Sequence, residues 1–351
     1  MAQPPQSIVE LAQRFERNQD SYRRADYKEA ELRAEFIDPF FEALGWDLRN
    51  RTGKAEAYKD VIFEEAIKVG GATKAPDYCF RIGETRKFFV EAKRPSVDLV
   101  YDGEGSFQLR RYAWSCKLPL SVLTNFAEFA LYDCRFRPSR ADKAVACRIM
   151  HMKYDAYIER WEEIAAVLSK EAIERGDFDK YAEATRGKRG TSEVDMEFLV
   201  EIEKWRAEFA RAIAQRNPKL TVPQLNGSIQ SIIDRLIFLR MCEDRGMETY
   251  GQLQAQTNGE GVYRRLVQLF YRADEKYNSG LFHFSKEAGR SSHPDELTPE
   301  LAIDDAVFKD IIGGLYYPRS PYEFSVISPE ILGNVYEQFL GKVIRRTPRF
   351  R

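Results

Sequence analysis

The pattern of apolar residues changes near residue 150, and this change limits the folds that the chain can adopt. Two helical patterns come first, over 5–18 and 25–44. Short apolar runs of the β type follow over 60–67, 77–82, 87–92, 119–125 and 129–133. Beyond about residue 154 nearly every segment has helical periodicity, most clearly over 201–215 and 228–246. The sequence therefore predicts a mixed α/β domain with a mostly sheet core, followed by an all-α domain.

Composition removes several classes of protein. The 351 residues include 54 Lys and Arg against 55 Asp and Glu, so the net charge of −1 gives no overall positive field, and any DNA contact must come from local patches. The five cysteines form no CxxC pair and the three histidines are dispersed, so we expect neither a disulfide framework nor a structural zinc site. No apolar run approaches the roughly 18 to 20 residues of a membrane span, and no signal-peptide core is present. We therefore expect a cytoplasmic protein with no membrane partner.

The strongest candidate for chemistry is a pair of acidic residues with a lysine at the ends of two neighbouring strands. Asp77 begins one strand, and Glu91 and Lys93 end the next. Because side chains alternate along a strand, Glu91 and Lys93 project from the same face. Two carboxylates that meet across a hairpin would form an oxygen site for Mg²⁺, with the lysine beside the attacking water. The alternative is a solvated Glu–Lys pair at a strand edge, although the apolar run before Glu91 makes unpaired charge costly there.

The length of the hairpin loop decides whether the two carboxylates meet. The turn-forming residues between the two strands are 83–85. A three-residue loop would place Asp77 opposite Glu91. A two-residue loop would place Asp77 opposite Ala92 instead and weaken the site.

A helix before the strands offers a third carboxylate. Apolar residues at four-residue intervals from Leu32 to Leu44 form one face of this helix, and the same face extended backwards reaches Glu29. From that position Glu29 would complete a ligand set or hydrogen-bond a metal ligand. The alternative is an ordinary helical ion pair between Glu29 and Arg33.

The identity and order of these residues resemble the PD-(D/E)XK nuclease superfamily. Asp77, Glu91 and Lys93 match its central motif, and Gln108 and Tyr112 match the Q-x-x-x-Y element of its RecB-like and type I restriction branches. The resemblance implies an α/β fold of the restriction-endonuclease type, with a mixed sheet flanked by helices. It also implies that Asp77 and Glu91 bind Mg²⁺, for which Mn²⁺ would substitute, and that Lys93 assists the water. Gln108 and Tyr112 would then organise the site or the DNA backbone.

The later part of the chain resembles a narrower family. Segments 228–246 and 328–344 are similar to the helical connector and first methyltransferase helix of type IIG restriction-modification enzymes, which join nuclease, connector, adenine-N6 methyltransferase and specificity domains in one chain. The resemblance implies a nuclease domain over 1–150, a helical connector over 151–325 and the start of a truncated methyltransferase domain over 326–351. The sequence contains no Asn-Pro-Pro-Tyr or Asp-Pro-Pro-Tyr motif. S-adenosylmethionine binding and methyl transfer are therefore expected only in a full-length parent.

We therefore expect a Mg²⁺-dependent endonuclease that acts on double-stranded DNA, with transient dimerisation allowing both strands to be cut. Candidate DNA contacts are the local basic residues Arg94, Arg110, Arg111, Lys188 and Arg189. The alternative is a non-catalytic module that docks DNA or couples it to a methyltransferase. Retention of the acidic residues and the lysine of the motif argues against this alternative.

Overall fold

The computed structural model describes residues 4–63, 76–185, 194–277, 279–285, 293–325 and 327. Within these ranges the chain divides into two compact units. The first unit is made by the residues up to 185, and the second by the residues from 194 onwards.

The first unit is built on a mixed sheet, which among the described residues has six strands in chain order. The strands are β1 (Val61–Phe63), β2 (Tyr78–Ile82), β3 (Thr85–Ala92), β4 (Leu120–Thr124), β5 (Glu128–Asp133) and β6 (Arg148–Lys153). Neighbouring strands are antiparallel except β3 and β4, which run parallel. A parallel pair needs a long crossover, and a helix supplies it here. The predicted mixed sheet is thus confirmed.

The first unit also contains most of the shorter helices. These are α1 (Gln6–Arg17), α2 (Gln19–Tyr22), α3 (Glu29–Leu32), α4 (Asp38–Ala43), α5 (Gly103–Ser115), α6 (Trp161–Leu168), α7 (Lys170–Glu174) and α8 (Asp177–Ala184). A π-helical turn, Arg33–Ile37, joins α3 to α4, so that one continuous helix runs over 29–43. The two helices predicted before the sheet are therefore present.

An aromatic core lies between one face of the sheet and the helices α1, α3–α4 and α6–α8. The rings of Phe80 and Phe88 stack with centroids 4.5 Å apart, and Phe41 approaches Phe80 at 4.7 Å. Each such pair contributes about 0.5–1.5 kcal/mol beyond the burial of its area. Trp161 and Phe178 belong to the same core. The boundary expected at residue 150 therefore falls inside this unit, because α6–α8 need the sheet to bury their apolar residues.

The strand β6 is the one described strand that the sequence pattern did not predict. Its residues, RIMHMK, alternate poorly, and their burial pattern is mixed. The segment is extended because it pairs along β5. Strand propensity depends on such neighbours more than on the residues themselves.

The second unit is helical in every described element longer than a turn. Its helices are α9 (Val194–Arg216), α10 (Val222–Asp244), α11 (Gln252–Ala255), α12 (Val262–Tyr277) and α13 (Asp305–Gly314). α10 begins with a capping box in which the Thr221 and Gln224 side chains bond each other's backbone N–H groups. Deeper in this unit the buried Arg240 pairs with Asp244 at 2.7 Å. The described residues contain no helix long and apolar enough to span a membrane. The methyltransferase helix expected over 328–344 lies outside the described residues.

Candidate active site

The β2–β3 hairpin aligns the two candidate carboxylates by an unexpected route. Its loop has two residues, 83–84, which by itself would misalign them. A β-bulge further along the hairpin shifts the register by one residue, so that Tyr78 pairs with Val90. Continued by one more residue, this register places Asp77 opposite Glu91. The bulge therefore restores the alignment that a three-residue loop was expected to give.

Glu91 lies at the centre of the site. The residue is only 4% exposed. Its Oε1 accepts hydrogen bonds from Lys93 Nζ at 2.7 Å and from Gln108 Nε2 at 2.8 Å. Its Oε2 is buried and has no hydrogen-bond partner among the residues that the structure describes. A buried carboxylate oxygen left in this way is costly unless an ion or water satisfies it.

The environment of Glu91 opposes ionisation of its carboxyl group. Burial raises the pKa of the Glu91 carboxyl well above its usual range, and the nearby Asp77 carboxylate raises it further, against the opposing effect of Lys93. The pKa of Glu29 is raised for the same two reasons, burial first and Asp77 second. Three carboxylates thus lie in one region, where Arg33 pairs with Asp77 and Lys93 pairs with Glu91. A divalent cation would offset the repulsion among the carboxylates.

Lys93 is held in its charged form. Burial alone would lower the pKa of the Lys93 ammonium, but the surrounding carboxylates of Glu91, Glu29 and Asp77 outweigh burial and raise this pKa. The charged amine is a hydrogen-bond donor with no acceptor capacity. In this state Lys93 is suited to hold an anionic oxygen rather than to remove a proton.

Asp77 is fixed by the chain on two sides. Its Oδ2 accepts a hydrogen bond from the backbone N–H of Ala92 at 2.7 Å, and its Oδ1 pairs with Arg33 Nη1 at 3.1 Å. Arg33 also lies over the ring of Tyr78, 4.8 Å from its centroid. Arg33 therefore links the first residue of the π-helical turn to the hairpin, a role that the sequence pattern did not reveal. Turns of this kind recur at functional sites.

The helix α5 brings Gln108 to the site. The side chain of Asp102 caps its first turn by accepting a hydrogen bond from the backbone N–H of Gly105 at 2.9 Å. Gln108 follows near the middle of the helix and donates to Glu91. Tyr112 lies one turn further along and is buried. The structure thus brings Gln108 into contact with Glu91 and places Tyr112 in the same helix.

The residues present suit a hard divalent cation. In the described part of the chain, no three His, Cys, Asp or Glu side chains converge as a complete metal cage. Mg²⁺ does not need one, because it commonly uses one or two carboxylates and keeps several waters. Asp77 and Glu91 provide those two carboxylates, and the buried Oε2 of Glu91 offers an oxygen that nothing described in the protein satisfies.

The expected DNA contacts fall into three groups. Arg94 is exposed, and its charge acts on Glu29. Arg110 is 1% exposed and pairs with Asp142 at 2.5 Å, and Arg111 is 7% exposed, so the expectation that these two are surface contacts is corrected. Both are buried because their positions on α5 face protein rather than solvent. The other two expected contacts, Lys188 and Arg189, lie outside the described residues.

Comparison with known proteins finds a relative that aligns with nearly the whole chain. The chain is similar to a restriction enzyme. The relative is the type II restriction enzyme and methyltransferase RM.Eco57I of Escherichia coli, with 37% identity over 340 residues. The aligned region covers 96% of this chain and 33% of the relative, so the chain spans about a third of the length of that protein. No protein-family model matches the chain, and no solved structure matches it.

Proposed function

We propose that this chain is the DNA-cleaving part of a type IIG restriction-modification enzyme, and that its first unit is a Mg²⁺-dependent endonuclease of the PD-(D/E)XK type. The observation that carries the proposal is the Glu91 carboxylate. One of its oxygens is held by Lys93 and Gln108, and the other is buried without a partner among the described residues, beside the Asp77 carboxylate. In a purely structural buried ion pair, the second carboxylate oxygen is usually hydrogen-bonded as well.

Each residue of the site has a task in this proposal. Asp77 and Glu91 hold Mg²⁺, which when bound stabilises the charge that develops on the phosphate during hydrolysis. Gln108 fixes the orientation of Glu91 through its hydrogen bond. The Lys93 ammonium orients the attacking water or the phosphate oxygen. Glu29 supports the set from the helix, close enough to add to its negative charge.

The similarity to RM.Eco57I supports DNA as the substrate, since that protein is named as a restriction enzyme and methyltransferase. We place the nuclease in the segment expected over 1–150, extended by α6–α8. The helices from residue 194 onwards would form the connector. Methyl transfer and S-adenosylmethionine binding would belong to a longer parent, and double-strand cleavage to a transient dimer.

The first test is calorimetric titration of Mn²⁺ into the full chain and its variants. We expect Asp77→Asn and Glu91→Gln to weaken Mn²⁺ binding by roughly tenfold or more, because each removes one anionic ligand. The matched control is Glu84→Gln, which removes an exposed carboxylate from the turn of the same hairpin and should leave binding unchanged.

Plasmid cleavage at low salt completes the test. Lys93→Ala should keep metal binding and lose cleavage, because the amine acts on water or phosphate rather than on the metal. Equal and weak Mn²⁺ uptake by wild type, Asp77→Asn and Glu91→Gln would show that the carboxylates are structural. The non-catalytic coupling module would then replace the nuclease.

A further inference from the structure

A strongly basic loop lies between β5 and β6. Residues 134–147, here named the basic loop, contain four Arg or Lys and one Asp in a chain whose net charge is −1. Of its cations, Arg137, Arg140 and Lys143 are exposed, and Arg140 makes an exposed ion pair with Glu104. The loop is therefore a local positive patch on a protein that has no overall positive field.

Buried contacts fix the backbone of the basic loop. Its single acid, Asp142, pairs with the buried Arg110 at 2.5 Å. The Ala144 carbonyl accepts a hydrogen bond from the Tyr132 hydroxyl at 2.8 Å, and the Ala146 carbonyl accepts one from Arg110 at 3.3 Å. The acid is thus used to anchor the loop, and the exposed cations are presented from a backbone that is already ordered.

The first turn of α5 joins the basic loop to the candidate active site. A Cβ atom added at Gly103 would lie 3.6 Å from the carbonyl oxygen of Asp142. A Cβ atom added at Gly105 would lie 3.0 Å from Cε of Lys93. The same helical turn is therefore in close contact with the loop on one side and with Lys93 on the other. The loop backbone at Asp142 is therefore separated from Lys93 by a single helical turn. Arg140 of the loop pairs with Glu104 of that turn at 3.4 Å.

An exposed aromatic residue stands at the same turn. Tyr101, one residue before the cap Asp102, is 81% exposed. Its segment is nevertheless well anchored, since Leu99 is fully buried and its backbone N–H donates to Glu128 at 2.8 Å. Tyrosine buries large area at low entropic cost when a partner covers it. An anchored segment that leaves this ring in solvent indicates a contact surface.

We propose that the basic loop and Tyr101 form a DNA-contact surface beside the active site. Arg137, Arg140 and Lys143 bind phosphates of a DNA duplex, and the ring of Tyr101 packs on a sugar or base near the bond that is cleaved. The proposal rests on the proposed function for its location and names the surface that holds the substrate. Such contacts position the duplex and carry no sequence information.

The test measures DNA binding alone, by fluorescence anisotropy of a labelled duplex with the full chain in EDTA, so that cleavage cannot contribute. The variant Arg137→Ala/Arg140→Ala/Lys143→Ala should bind roughly tenfold more weakly at low salt. The slope of log affinity against log salt should fall by about 3, one for each lost phosphate contact. The charge-preserving variant Arg137→Lys/Arg140→Lys/Lys143→Arg should bind nearly as well as wild type. This result would show that substitution at these three positions does not by itself disrupt the loop.

The matched control is Arg51→Ala/Arg175→Ala/Lys180→Ala, which removes the same charge from exposed side chains elsewhere in the first unit. Its affinity should stay within about twofold of wild type, because phosphate contacts and not net charge set the affinity. Tyr101→Ala should weaken binding severalfold, and Tyr101→Phe should restore it.

The proposal would be overturned by unchanged binding of the basic-loop variant, by equal loss in the control, or by no duplex binding of wild type at low salt. A preference for a single-stranded oligonucleotide that the basic-loop variant does not reduce would overturn it as well. None of these results bears on Mn²⁺ binding by Asp77 and Glu91, so failure of this surface and failure of the nuclease site remain distinguishable.

Discussion

Glu91 occupies an environment that opposes its own charge. Its side chain is buried, one oxygen lacks a partner among the described residues, and Asp77 and Glu29 add negative charge nearby. Burial and Asp77 raise its pKa above the value of about 4.3 that an unfolded chain would have. Above that pH the ionised carboxylate lowers the stability of the folded state, since the unfolded state ionises more easily. A bound divalent cation would offset this cost.

Neutralising this carboxylate should stabilise the metal-free protein. Glu91→Gln keeps the shape and an acceptor for Lys93 while removing the charge. We expect the free energy of unfolding at pH 7 to rise by on the order of 1 kcal/mol, with a smaller gain at pH 5. Urea unfolding in EDTA measures this. Added Mg²⁺ should stabilise wild type and leave the variant unchanged, whereas a variant less stable than wild type at pH 7 would contradict the argument.

At the scale of elements, the first turn of α5 both begins the helix and contacts a residue of the candidate active site. The Asp102 carboxylate caps the helix, and the hydrogen atoms of Gly105 leave space for it and for Lys93. A Cβ atom at Gly105 would lie 2.1 Å from Oδ2 of Asp102, closer than real contacts allow. The glycine is therefore explained by close approach rather than by an unusual backbone conformation.

Two glycine substitutions distinguish the close contact at Gly105 from the general effect of a glycine on helix stability. In Gly105→Ala the gain in helix propensity, about 1 kcal/mol, offsets a lost cap of about 1 kcal/mol, so stability should change little while plasmid cleavage falls because Lys93 is displaced. Gly227→Ala, inside α10 and with open space around its Cβ position, should raise the free energy of unfolding by about 0.5–1 kcal/mol and leave cleavage unchanged. Full cleavage by Gly105→Ala would show that this turn does not position the lysine.

At the scale of the molecule, each unit contains a carboxylate, buried in the first unit and half-buried in the second, whose hydrogen-bond partners favour its ionised form. Burial alone would raise the pKa of Asp60 in the first unit, but hydrogen bonds from Lys170 and Lys54 outweigh it and hold this pKa below its usual value. In the second unit, burial likewise opposes a low pKa for Asp295, and bonds from Thr298 and Arg235 lower it. A depressed carboxyl pKa stabilises the fold above about pH 4 and loses this effect as the pH falls. Both units should therefore be sensitive to acid.

The Asp60 contribution can be measured directly. Asp60 Oδ1 lies 2.6 Å from Lys54 Nζ, and Asp60 Oδ2 lies 2.8 Å from Lys170 Nζ. Asp60→Asn should lower the free energy of unfolding by about 2 kcal/mol at pH 7, less than for a fully buried pair because the lysines are partly exposed. Urea unfolding at pH 7 and pH 3 should show this difference shrinking at the lower pH. Asp179→Asn, an exposed partner of Lys87, should have no measurable effect, and a constant Asp60 difference at both pH values would refute the assignment.

The sequence by itself determined the element types and the composition of the site. Its periodicity predicted a sheet-rich first domain and a helical second part, the family resemblance implied the mixed sheet, and strand alternation placed Glu91 and Lys93 on one face. These features depend on neighbours close in the chain, so local patterns suffice to reveal them. The run RFRPSR over 135–140 contains three arginines, but the sequence pattern did not single it out as a DNA contact.

The tertiary structure determined the alignment of the two hairpin strands, the pairing partners of the site residues and the burial of their side chains. The pairing of Arg33 with Asp77 joins residues 44 positions apart, and the burial of Arg110 against Asp142 joins residues 32 positions apart. The bulge in the hairpin shifts the strand register in a way that the loop length does not predict. The strand β6 likewise exists because β5 is available to pair with it. Such features depend on which segments pack against one another. A single sequence shows the pattern of each segment but does not show which other segment it will contact.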